Sequence, residues 1–294
     1  MSSVDSRALG APLPREPLAR LRARLAREGL HIVLPLGARE FDEVTGPLGG
    51  ALLGDLMEGA GGALLVGDGG PGFFARFQAS LDSQADNDPV PPETVQPLDA
   101  YTRRVLRAAL TEAKTEAKTD TKTDTKTDTM TDETSPSDRE IDYRIFYPFV
   151  NARPTLPFQR LGEAGGLPAP GPLGIQIHPR YGPWWAYRGL IVLSIPLAAE
   201  PILPASCPTC SHPCVAACPV GAVDIQGFSY ERCGDHRTEY RRGRSPDDPH
   251  GSSECRLSCA ARLACPVGEA HRYPEHQLAF HMRASLALAR ISSS

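Results

Sequence analysis

All eight cysteines of the chain lie between Cys207 and Cys265, and they carry its most pointed chemistry. The first group reads Cys207-x2-Cys210-x3-Cys214-x3-Cys218-Pro, four thiols in twelve residues. The second reads Cys255-x3-Cys259-x5-Cys265-Pro, with Cys233 alone between the groups. The phrase ACPVG occurs at 217–221 and again at 264–268, so the segment reads as a duplicated half. Disulfides, zinc and iron–sulfur clusters compete for such a set. The N-terminus (MSSVDSRALGAPLPREPLARLRARLAREG) lacks the apolar stretch of a secretory signal, so a cytoplasmic, reducing setting is expected and disulfides rank last. Zinc sites pair two Cys-x2-Cys knuckles, whereas only Cys207 and Cys210 have that spacing, and the twin Cys-Pro ends have no zinc rationale. Soft thiolates suit iron–sulfur chemistry, and eight of them satisfy two [4Fe–4S] clusters with none left over. His212 and His236 are expected at the surface or beside the ligands, because the thiols suffice.

This doubled pattern resembles the bacterial two-cluster ferredoxins, in which the cysteine before proline ligates the other cluster. The resemblance implies one cluster on Cys207, Cys210, Cys214 and Cys265. It implies a second on Cys218, Cys233, Cys255 and Cys259. Two spacings depart from the usual one: Cys214 arrives a residue late, and five residues separate Cys259 from Cys265. Both departures predict longer cluster loops.

The elements that must position these thiols lie largely upstream. EPLARLRARLARE sets Leu18, Leu21 and Leu25 at helical spacing,. HIVLPL (31–36) and GALLVGDGG (62–70) are apolar runs ending in turn residues, as buried strands do. PGFFARFQASL (71–81) starts a helix on proline, and LDAYTRRVLRAAL (98–110) repeats Tyr101, Val105 and Ala109 on one face. The Thr/Lys/acid repeat at 111–138 has almost no apolar content and predicts a disordered insertion. IDYRIFYPF (141–149) alternates like a strand, and 173–197 predicts two strands joined by HPRYGPWW. EHQLAFHMRASLALAR (275–290) predicts a closing helix with Leu278, Met282 and Leu286 as its apolar stripe. The expected domains are therefore 17–203, 204–274, and the terminal segment 275–294.

GIQIHPRYGPWWAYRGLIVL (174–193) is the most specific segment without cysteine. Its Ile177, His178, Pro179, Arg180, Tyr181, Gly182, Trp184, Arg188, Gly189 and Leu193 resemble the signature of the cobalamin-processing proteins of the methylmalonic aciduria and homocystinuria type C family. The whole layout is similar to the epoxyqueuosine reductases, where a cobalamin-binding domain precedes a two-cluster module with cysteines in the order four, one, three. Both resemblances imply an α+β fold: a nitroreductase-like cobalamin-binding domain followed by a small bacterial-type 2[4Fe–4S] ferredoxin domain. They imply cobalamin as a cofactor or cargo, near His178, Arg180, Tyr181, Gly182, Trp184 and Arg188. The residue types agree, since Tyr181, Trp184 and Trp185 offer flat apolar surface and His178 and Arg180 offer donors. One departure is chemical. Where the epoxyqueuosine enzymes place an Asp general acid, this chain has Asn151 and Ala152, and an amide cannot deliver a proton as a carboxylic acid does.

A net charge of -4 and a pI near 6.1 give no global electrostatic reason to expect nucleic acid or anionic membrane as a partner,. No apolar run reaches the roughly 18 residues of a membrane span. The expectation is an iron–sulfur oxidoreductase that feeds electrons from a ferredoxin- or flavodoxin-type donor to a corrinoid. The alternatives are a ferredoxin-type electron carrier with a docking domain, and a zinc-stabilised interaction protein.

Overall fold

The computed structural model describes residues 15–83, 96–120, 141–149, 154–241, 255 and 258–282. Helix α1 (Arg15–Arg27) buries Leu21 and Leu25, two positions of its predicted apolar spacing. It leads into strand β1 (Ile32–Gly37), which pairs antiparallel with β2 (Gly62–Gly69) in the register Ile32↔Gly67 to Gly37↔Gly62. Every position of both strands is buried, which is why the two segments read as continuous apolar runs instead of alternating ones,. Strand β3 (Tyr143–Phe146) pairs antiparallel with β4 (Trp185–Leu193), and the four-stranded order is β1-β2-β4-β3. Helices α2 (Ala38–Thr45) and α3 (Leu53–Leu56) fill the connection between the first two strands. Helix α4 (Gly72–Ser83) follows β2, α5 (Pro97–Asp120) packs on α1, and α6 (Phe158–Ala164) packs on α2 and β1. The result is a mixed α+β fold on an antiparallel sheet.

Contacts divide the chain into two compact units. The first comprises the chain up to Asp68, Ala79–Gly165 and Tyr187–Glu200; the second comprises Gly69–Gln78, Gly166–Ala186 and the chain from Pro201 onward. Thus the segment holding HPRYGPWW groups with the cysteines. In the second unit, helices α7 (Pro213–Ala216) and α8 (Tyr230–Arg241) flank a two-stranded hairpin, β5 (Val223–Asp224) and β6 (Gly227–Phe228).

Three expectations change. Only one strand forms in 173–197. Before the HPRYGPWW turn there are isolated bridges, Pro170↔Gln176 and His178↔Gly182, because Leu173 and Ile177 pack into the core around the cysteines. The Thr/Lys repeat is not wholly irregular, since α5 runs on to Asp120. Its first copies, TEAKTEAKTD, are rich in the helix formers Ala, Glu and Lys and extend a helix already nucleated by burial; 121–138 lies outside the described residues. The closing helix is described as far as Met282, and its fully buried residue is Gln277, while Leu278 is half-buried. Phe280 of this helix packs edge-on to Phe74 at 5.1 Å.

The first unit also buries an ion pair that joins neighbouring strands. Arg188 Nε donates to Asp68 Oδ1 at 2.8 Å and its Nη2 to Oδ2 at 3.3 Å, with Asp68 fully buried. Bidentate geometry offsets the cost of taking both charges out of water. Arg188→Ala should therefore cost about 3–5 kcal/mol by leaving a lone buried carboxylate, read as a lower urea midpoint. Pairing Asp68→Asn with Arg188→Met should restore most of that loss.

Candidate functional site

The eight cysteines are free thiols. Their mutual influence sorts them into two sets. Burial raises the Cys207 thiol, and the charges of Cys265, Cys210 and Cys214 raise it further. Cys214 is raised by burial, then by Cys265 and Cys210. In the other set, burial raises Cys233, with Cys259, Cys255 and Cys218 adding to the shift against the pull of Arg237. Electrostatic influence thus groups Cys207, Cys210, Cys214 and Cys265, and separately Cys218, Cys233, Cys255 and Cys259. Among the described residues, no three or more His, Cys, Asp or Glu side chains converge closely enough to hold one metal ion.

The odd spacings have local causes. The residue that delays Cys214 is absorbed at His212, whose φ of 55° makes it the described non-glycine residue in the left-handed region. That kink turns the chain into α7, with Pro213 at its start and Cys214 behind it. The His212 N–H points back to Cys210 Sγ at 3.4 Å, and the Ala222 N–H donates to Cys218 Sγ at 3.2 Å. The five-residue gap is a turn of helix, Ala260–Leu263, capped by Cys259.

The HPRYG turn is held shut by its own histidine. The N–H groups of Arg180 and Tyr181 both reach His178 Nδ1, at 3.1 and 3.3 Å. An Nδ1 that accepts must be unprotonated, so the neutral ring carries its hydrogen on Nε2. Burial, then the charges of Arg180 and His271, push the His178 pKa down to about 4. Backbone bonds between His178 and Gly182 close the turn in both directions, at 3.0 and 2.7 Å.

This turn rests directly on the second ACPVG. Gly182 (φ 57°) and Gly268 (φ 70°) are both left-handed, and a Cβ on Gly182 would strike the Val267 carbonyl. A Cβ on Gly268 would strike the backbone of Tyr181 and Gly182. On the other side of the turn, a Cβ on Gly171 would meet Cys207 Sγ at 2.8 Å. Ile177, Leu173, Cys214 and Cys265 share one buried core. The first quartet and the HPRYGPWW segment are therefore built on the same packing.

The aromatic residues face inward. Tyr181 is buried between His178 and His271, with ring centroids 4.9 and 4.8 Å away. Trp184 is fully buried, with Arg262, Arg272 and Tyr273 against its ring at 4.8, 5.8 and 5.6 Å. Trp185 is buried and its Nε1–H donates to the Gln176 carbonyl. The flat surface expected of these rings is taken up by protein, because the segment is the inner wall of its unit. Arg180 is the exposed member of the set and His178 is half-buried. Arg188 belongs to the buried pair with Asp68 in the other unit.

One acid in the first unit escaped the sequence reading. Burial pushes Asp99, in the first turn of α5, up to about 6 against the pull of Arg188 and Arg103. Nothing in LDAY signals this, since the shift arises from burial beside α5's partners. Asn151 lies outside the described residues.

No protein-family model matches the chain, and no curated protein matches it. Solved structures do. The epoxyqueuosine reductase of Streptococcus thermophilus aligns with a TM-score of 0.50 at 14% identity, over 87% of this chain and 67% of that one. An epoxyqueuosine reductase solved with a tRNA-Tyr epoxyqueuosine-modified stem loop aligns with a TM-score of 0.54 at 16% identity, over 90% and 68%. A B12-trafficking protein of C. elegans, CblC, aligns with a TM-score of 0.51 at 14% identity, over 91% of both chains. The chain shares their fold, in line with the layout its sequence resembles. Because one such neighbour was solved with a tRNA stem loop, net charge is no ground for setting nucleic acid aside as a partner of this fold. Among the described residues no helix is long and apolar enough to cross a membrane.

The His178 staple has a pH signature. Unfolded His178 takes its proton near pH 6.5, whereas the folded ring resists until about pH 4. Acid therefore favours the unfolded state, and stability falls as pH drops from 6.5 towards 4. His178→Asn, which keeps an acceptor without a titrating ring, should flatten that slope in urea midpoints measured across this range.

Proposed function

We propose that the chain is an iron–sulfur oxidoreductase that passes electrons through two [4Fe–4S] clusters to a corrinoid. What carries this reading is the mutual influence of the thiols, which couples Cys265 to the first group and Cys218 to the second. Eight thiols in two groups suit two clusters, whose thiolates bind different irons,. Buried thiols that raise one another's pKa also need a strong positive charge to deprotonate together, which bound iron supplies,. The first quartet, packed with Ile177 and against Gly171, is the one that hands electrons towards the HPRYGPWW segment. A ferredoxin- or flavodoxin-type donor feeds the second.

The residues that fit a corrinoid are polar: the exposed Arg180 guanidinium and the His178 Nε2–H, both donors to amide or phosphate groups on the macrocycle's periphery,. The cobalt of such a corrinoid would supply the reducible centre, and the neighbouring folds of epoxyqueuosine reductase and B12-trafficking CblC support the choice. The burial of Tyr181, Trp184 and Trp185 favours a second reading, a two-cluster electron carrier whose HPRYGPWW segment is a structural wall.

Anaerobic reconstitution separates these readings. The loaded chain should hold about eight iron and eight acid-labile sulfide, and Cys265→Ser should retain about half. One or two zinc per chain in place of iron would overturn the cluster reading. Hydroxocobalamin added to the loaded chain should bind and change its visible spectrum on reduction, with Arg180→Ala weakening binding. Loaded chain that binds no hydroxocobalamin at micromolar concentration would leave the carrier reading in place.

A further inference from the structure

We propose that the hairpin β5–β6 and the first turn of α8 form the docking surface for the electron donor, a one-electron redox protein whose own face is apolar at the centre and basic at the rim. This rests on the two-cluster reading above and gives a place and a charge to the donor which that reading needs.

The hairpin is tied to the second group of thiols through its backbone. The Ala222 N–H donates to Cys218 Sγ at 3.2 Å, and the Ser229 N–H donates to the Ala222 carbonyl at 2.8 Å. The Cys233 N–H in turn donates to the Ser229 carbonyl at 3.2 Å. The hairpin is therefore a loop with Cys218 at one end and Cys233 at the other. Phe228 and Cys218 pack against the same buried core, to which Val223 belongs. The second group also lies nearer to solvent. Cys214 and Cys265 of the first group are buried, whereas Cys218, Cys233, Cys255 and Cys259 are all half-buried.

The loop turns apolar residues outward. Ile225 opens the two-residue turn between Asp224 and Gly227 and is 65% exposed; Tyr230, at the start of α8, is 70% exposed. Gly, Asn, Asp or Ser would suit such a turn better in water. A scattered surface apolar residue is ordinary, but these two stand on one short loop between two candidate ligands. Both are held in place. Asp224 Oδ1 accepts the Gln226 N–H at 2.9 Å, and the Tyr230 ring lies edge-on to Phe228 at 4.9 Å. A surface fixed beforehand loses little entropy when a partner docks.

Charge selects the partner. Asp224, Glu231 and Asp235 are exposed, and Arg232 is the exposed cation of the stretch 221–237, with its Nη1 donating to the Gly221 carbonyl. This acidic rim draws a basic face and repels an acidic one. At the surface one electron leaves the donor's reduced cofactor and enters the second group's cluster, with no atom or proton transferred.

The test uses the reconstituted chain and two one-electron proteins as probes, basic cytochrome c and an acidic flavodoxin. Calorimetry should show oxidised cytochrome c binding the loaded chain more tightly than flavodoxin does, and more weakly as salt rises. Ile225→Lys should weaken that binding about tenfold, by removing an apolar anchor and opposing the basic rim. Leu48→Lys makes the same charge change at an exposed position of the first unit and should leave binding unchanged. Asp224→Asn keeps an acceptor for the Gln226 N–H. Combined with Glu231→Gln, it should slow electron transfer from the dithionite-reduced chain to cytochrome c and flatten its salt dependence. Dithionite should still reduce every variant fully, since a small reductant needs no docking surface. Equal losses in Ile225→Lys and Leu48→Lys, or tighter binding of flavodoxin, would overturn the proposal. A wild-type chain that takes up no iron would instead overturn the cluster reading beneath it.

Discussion

Two glycines pressed backbone to backbone set the architecture of the cysteine unit. Gly182 and Gly268 each adopt the left-handed conformation, and each occupies the space a side chain would need on the other. That contact fixes the HPRYG turn against the residues that follow Cys265. Once it is made, Ile177 enters the core beside Cys214 and Cys265, and Tyr181 closes against His271. Trp184 then falls under Arg262 and Arg272. A side chain at either glycine would separate the turn from the cysteine segment, and the inward-facing aromatic wall would lose its backing.

The same contact explains why an internal echo in sequence gives unequal structures. Both copies of ACPVG end in a left-handed glycine, Gly221 at 59° and Gly268 at 70°. Proline after cysteine, with glycine two residues beyond it, favours that turn locally,. Around Gly221, however, a side chain would meet only Arg232 Nη1 at 3.9 Å. The same backbone turn thus occurs twice: among the described residues the second copy meets the HPRYG turn, whereas the first receives the Arg232 guanidinium on its Gly221 carbonyl. The irregular spacings belong to this divergence: one extra residue is taken up by a left-handed His212, and two more make the helical turn bearing Arg262.

Thiol count, Cys-Pro repetition and the apolar runs of β1 and β2 were legible in the sequence because each is a short-range pattern with one physical cause. The expected crossing of Cys218 and Cys265 comes only through resemblance, since spacing alone assigns neither thiol to the far half. Burial was the weak point. Trp184 and Tyr181 look like a ligand platform in a linear reading, and only the positions of Arg262 and His271 reveal rings already occupied. The GIQI arm alternates like a strand, yet its apolar residues serve the cysteine core, so tertiary packing overrode the local pattern. Asp68 and Asp99 show the limit most sharply. Both are acids near Arg188, but Asp68 is bound bidentate and Asp99 is set mainly by desolvation, a difference no neighbouring residue in the chain announces,.

Charge placement then links fold to function. A protein that buries thiols in two neighbouring sets must supply positive charge to both, or the thiols stay protonated. Among the described residues, guanidiniums meet part of that demand: Arg272 acts on Cys265 and Arg237 on Cys233. Arg272 spends part of its charge on Glu269, whereas Arg262 has aromatic faces and a carbonyl, none of which cancels it. The gap two residues longer in the second half therefore carries a residue, Arg262, that binds the Pro183 carbonyl and packs on the Trp184 ring.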